Sequence, residues 1–166
     1  MRTIIIGFAA AAMLSGCSDD APAPPAEEAA ATQLQAGEYE LSAKVDALRS
    51  TDATTPATKY KVGDPPKVTR TCVPADGTID PTALAEGNEK CTALDNYMRN
   101  GRMSLQYKCS RGSDQMTQLV DGDFKADSFE AKVTTSTYFA GSGDYELTRT
   151  ITGKRVGDCP AQPEKS

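Results

Sequence analysis

Gly37-Glu38-Tyr39-Glu40-Leu41-Ser42-Ala43-Lys44-Val45-Asp46-Ala47 alternates without a break. Tyr39, Leu41, Ala43, Val45 and Ala47 fall on one face. Glu38, Glu40, Ser42, Lys44 and Asp46 fall on the other. A period of two with a single apolar face predicts a half-buried antiparallel strand. Downstream, Lys67 to Val73, Cys91 to Met98, Arg102 to Cys109, Gln115 to Phe124, Phe129 to Phe139 and Tyr145 to Val156 repeat the theme. Turn chemistry separates them at Arg99-Asn100-Gly101, Ala126-Asp127 and a Gly-Ser-Gly loop. The fold expected is all-β: an antiparallel meander of about seven strands, forming a strongly curved sheet or small barrel.

Two stretches interrupt this pattern. Arg49 to Pro66 is polar and rich in Thr, Pro and Asp, and is expected to be a long loop. Asp80 to Gly87 carries Asp as N-cap, Pro81 at the first helical position and Gly87 as a stop, which predicts the one short helix. Asp76, Asp80 and Glu86 lack calcium-loop spacing, so capping accounts for them better.

Cysteine placement adds a constraint. Of five cysteines, four lie within Gly37–Cys159: Cys72, Cys91, Cys109 and Cys159. Reading Arg99-Asn100-Gly101 as a three-residue loop pairs Tyr97 with Met103, Asp95 with Leu105, Ala93 with Tyr107 and Cys91 with Cys109. Directly opposed cysteines lie within disulfide reach, so of the three connectivities that four cysteines allow this register favours Cys91–Cys109 with Cys72–Cys159. A four-cysteine zinc site is the rival, but the close Cys pairs such sites use are absent.

The fifth cysteine has a different setting. Met1 and Arg2 precede an apolar run, Ile4 to Leu14, and then Ser15-Gly16-Cys17. A positive start, a short apolar middle and small residues at its end mark a signal peptide over residues 1–16. Leu14-Ser15-Gly16-Cys17 resembles the lipobox of bacterial lipoproteins, which implies cleavage before Cys17 and acylation there. Ser18 rather than Asp at the next position implies the outer membrane, facing the periplasm. Residues 17–36, with their prolines, alanines and acids, read as a tether able to reach ~60 Å when fully extended. The domain is expected over 37–159, and 160–166 as a frayed tail.

Composition excludes several function classes. The domain carries 16 basic against 18 acidic residues, so it offers no basic surface for nucleic acid. With no histidine, Ser-His and Cys-His nucleophile pairs are absent. No cofactor and no metal is expected. Asp121-Gly122-Asp123 places two carboxylates on one strand face, which suits a carboxylate-based hydrolase only if they face a cleft. A solvated strand near a turn is the preferred reading.

Five segments together resemble a family of small exported Gram-negative proteins catalogued as domain of unknown function three-six-one-seven. They are Gly37–Leu41, Thr71-Cys72-Val73, the Cys91…Cys109 hairpin, Ala126–Phe129 and Gly153–Cys159. Tyr39 stands where the family usually has Trp, and Ala126 where it usually has Gly. The resemblance implies an exported four-cysteine β domain and no particular activity.

Extending the registers by matching apolar faces sets Cys109 beside Met116, Thr137 and Leu147, and Leu105 beside Val120, Val133 and Ile151. Between these rows Tyr107, Gln118, Thr135 and Arg149 form a polar row facing inward, with Asp95 one row off as a partner for Arg149. This row is the candidate ligand-binding site, holding the polar head of an otherwise apolar ligand. The expected function is a non-catalytic, lipid-anchored envelope protein that binds an apolar small molecule or an envelope protein. A carboxylate-based hydrolase and a purely structural envelope protein are the alternatives.

Overall fold

The structure is a computed structural model describing residues 30–161. The signal segment, Cys17, most of the tether and residues 162–166 lie outside them. Seven strands form: β1 (Gly37–Ser50), β2 (Lys67–Val73), β3 (Lys90–Arg99), β4 (Arg102–Arg111), β5 (Asp114–Phe124), β6 (Ser128–Tyr138) and β7 (Tyr145–Gly157). They make one antiparallel sheet in the order β2-β1-β7-β6-β5-β4-β3. The meander thus runs from β3 to β7, and the first hairpin is added beyond the last strand. The sheet curls into a half-barrel, with β2 and β3 as its edges.

Alternation decides the core. Tyr39, Leu41, Met103, Leu105, Val120, Val133, Leu147 and Ile151 point inward and are buried. The segment joining β2 to β3 contributes Ile79 and Leu84 to the same core. In place of the expected short helix, this segment makes one 3-10 turn, Pro81–Leu84. Asp80 caps it as expected, accepting from Thr82 N at 2.8 Å. Ala85 is already extended, at φ −69° and ψ 163°. One turn brings too few hydrogen bonds to propagate a helix.

Both disulfides have the expected pairing. Cys72–Cys159 spans 5.6 Å between Cα atoms and Cys91–Cys109 spans 4.0 Å.

Two strands depart from simple alternation. In β1 the pairing slips between Val45 and Ala47, so Leu48 rather than Ala47 lies opposite Leu147. In β3 it slips between Ala93 and Asp95. Cys91 and Ala93 keep their expected partners, but Leu105 then faces Asn96, and Met98 faces Met103. The connection is a two-residue Asn100-Gly101 turn, with φ of +52° and +74°, rather than a three-residue loop. Both central residues left-handed is the turn that matches strand twist. The extra β3 residue is absorbed as a bulge.

The packed chain begins before Gly37. Leu34 is fully buried. Gly101 N donates to Ala31 O at 2.9 Å, and Gln35 N to Ala126 O at 2.6 Å. The expected tether therefore gives up its last residues to the domain, because Leu34 is an apolar anchor within a polar stretch.

Candidate functional site

Tyr107, Gln118 and Thr135 stand side by side as expected, through the pairs Tyr107–Gln118 and Gln118–Thr135. All three are buried. Gln118 Nε2 donates to Thr135 Oγ1 at 3.4 Å, and Gln118 Oε1 is buried without a partner. Burial, with the Asp80 carboxylate adding to it, pushes the Tyr107 hydroxyl up to about 12.

Arg149 does not join that row. It pairs with Val133, and Leu147 takes the place beside Thr135. The β6–β7 register is two residues from the expected one. Its physical origin is the loop between the two strands. Asp144 Oδ1 accepts from Phe139 N at 2.8 Å and from Thr137 Oγ1 at 3.0 Å. Tyr145 N donates to Thr137 Oγ1 at 2.8 Å. These bonds set Thr137 against Tyr145, not Leu147.

Asp95 is not a partner for Arg149: it is exposed, as is nearly all of edge strand β3, and no ion pair joins the two. Arg149 still points inward and is only 2 % exposed. Its Nη2 donates to Leu84 O at 2.6 Å, and its guanidinium lies 5.9 Å from the centre of the Tyr60 ring. Its Nε is buried with no partner. The 3-10 segment is thus held onto the concave face by a carbonyl–guanidinium bond.

Around this contact lie two neighbouring hollows. One, of about 310 Å³, separates the inner face of β2, β1 and β7 from residues 82–87. Leu41, Ala43 and Ile151 form its apolar wall, and Lys67 and Arg149 also line it. The other, of about 420 Å³, lies under the long loop and holds Glu86, Glu89, Arg111 and Tyr145. There Tyr145 OH donates to Glu86 Oε2 at 2.8 Å, Tyr60 OH donates to Glu86 O at 2.7 Å, and Arg111 Nη1 meets Glu89 Oε1 at 3.4 Å. Burial first, and the Glu86 carboxylate second, drive the Tyr145 hydroxyl well above the usual phenol range.

The long loop is pinned rather than loose. Asp52 accepts from Thr54 N and Oγ1, from Gly143 N at 2.7 Å and from Asp144 N at 3.1 Å. The Thr54 hydrogen bonds lead in holding its carboxyl well below the usual range.

Asp121 and Asp123 lie exposed on the outer face. Asp121 accepts from Ser104 Oγ at 2.9 Å, and the Cα pairings place Lys132 and Arg102 beside the two acids. A separate apolar groove of about 590 Å³ runs past Phe124, Phe129 and Gly153 at the β5–β6 end.

Sequence reasoning misses Lys67, Tyr60 and the Leu84 carbonyl, and reaches Glu86 only as a calcium candidate set aside on spacing. A lone aromatic within the polar Arg49–Pro66 stretch was the available signal for Tyr60.

The family model described as a protein of unknown function (DUF3617) matches residues 34–159. No curated protein and no solved structure matches the chain.

Proposed function

Given that the chain belongs to the DUF3617 family, whose description names no activity, we propose from its own geometry that it is a non-catalytic binding protein of the bacterial envelope. In this reading it is anchored through acylated Cys17 to the outer membrane, facing the periplasm. It holds a small molecule with an apolar body and a polar group. The observation that carries the binding role is the 310 Å³ cleft, where Arg149 lies on the same sheet face as the apolar side chains of Leu41, Ala43 and Ile151. Ligand sites are concave and fix orientation with a few placed polar groups; this cleft has such groups, on a lining that is more polar than apolar. The two disulfides and the leader sequence support export. The hydrolase alternative loses support because its two carboxylates sit on the outer face, beside cationic neighbours.

The test uses the full chain, exported by a Gram-negative host and purified from its membranes. Intact mass should give a chain starting at Cys17 and carrying acyl groups. An unmodified Cys17 thiol overturns the anchor. Native mass should add one co-purifying small molecule. A chain showing only its covalent mass favours the purely structural role.

A further inference from the structure

Building on the binding role proposed above, we infer that the cleft is a site for an oxyanion, carboxylate or phosphate, held by Arg149 from within and Lys67 at the rim. The argument begins with an uncompensated charge. Arginine stays protonated wherever it is buried, and a buried charge is costly unless paired. Arg149 has no ion-pair partner among the described residues. It has one carbonyl and the face of Tyr60, and its Nε is unmatched.

The nearest acid in sequence along the facing segment, Glu86, accepts from Tyr145 OH through Oε2, and although its Oε1 is buried without a partner it makes no ion pair with Arg149. The cleft lining contains three cations and no acid, although the domain as a whole is nearly neutral. Arg70 is already taken by Glu38 at 3.2 Å and Glu40 at 3.4 Å. Among the described residues Lys67 Nζ makes one hydrogen bond, to the Tyr60 hydroxyl at 3.5 Å, and no ion pair, although Lys67 also lines the neighbouring hollow with Glu86 and Glu89. Two cations are therefore available, one planar and buried, one exposed at the sheet edge. A guanidinium fork matches a planar or tetrahedral oxyanion. Leu41, Ala43 and Ile151 offer the adjoining surface to an apolar stem. The ligand class that fits both features is a small anionic amphiphile, with a free anion occupying the polar end alone.

The mature chain in lipid nanodiscs is titrated with hexanoate, with 1-hexanol and with inorganic phosphate, by calorimetry. Hexanoate is expected to bind one per chain, and hexanol at the same concentration is not. Arg149→Met should weaken hexanoate about tenfold or more, and Lys67→Gln several-fold. Lys67 is exposed on an edge strand, so that variant keeps its fold even where Arg149→Met does not.

Phosphate binding as tightly as hexanoate supports the site and points to a free anion, whereas a preference for hexanoate supports it and points to an amphiphile. Equal binding of hexanol, no binding of either anion, or unchanged affinity in both variants overturns the inference. A neutral co-purifying molecule without anion binding removes this inference and leaves the binding role intact. An empty chain that binds no anion removes both.

Discussion

A Cβ built on Gly122 would meet the Glu130 carbonyl oxygen and stand 2.6 Å from Ala131 Cα. One built on Gly153 would run into the Phe129 ring, with Cζ at 2.6 Å. Glycine inside a strand marks a close approach of backbones or a covering ring. In Asp121-Gly122-Asp123 the acids drew attention in sequence, while the glycine between them has the structural role. Gly122→Ala should destabilise by about 2–3 kcal/mol, as overpacking against backbone does. Gly153→Ala should cost less, because a ring can swing, and less still beside Phe129→Leu. Urea midpoints at unchanged slope would check this. Equal costs for the two glycines, with no coupling to Phe129, would contradict it.

At the same scale, the depressed Asp52 carboxyl links the loop to acid stability. A group with a lowered folded value stabilises above its unfolded value, near 4, and loses that effect as pH falls through the folded one. The stability gap between the native chain and Asp52→Asn should therefore be full at pH 7 and shrink steadily below about pH 4. A gap independent of pH would show that the loop hydrogen bonds do not need the charge.

Elements show where sequence legibility ends. Seven strands, both disulfide pairings and the Asp80 cap could be read from alternation, turn residues and cysteine placement. The β6–β7 register could not, because a two-residue slip keeps every apolar face matched. Tyr107, Gln118 and Thr135 therefore share the expected row, whereas Arg149 lies in the next one. A one-residue bulge in β3 was hidden for another reason. Asn-Gly can close a two-residue or a three-residue hairpin, and only the bulge count distinguishes them. Residues 30–36 have the composition of a tether, although Leu34 inserts fully into the core. Leu34→Ala is expected to cost about 2–4 kcal/mol, the range for a deleted buried Leu side chain. Thermal unfolding unchanged in that variant would return the segment to the tether.

On the scale of the whole molecule, the half-barrel is stapled at both edges. Cys72–Cys159 closes a separation of 87 residues and Cys91–Cys109 one of 18, worth about 4.5 and about 3 kcal/mol by loop closure. These staples let a small domain hold its edges while one part of its concave face stays open. That opening was not legible in sequence, because it depends on where residues 82–87 lie against β1, β2 and β7. Hydrogen exchange with and without hexanoate tests the central claim, that this cleft is the binding side, most directly. The account predicts added protection in Lys67–Thr71 of β2 and in Ala83–Gly87. Protection confined to the outer groove around Phe124–Glu130, or none anywhere, would contradict it.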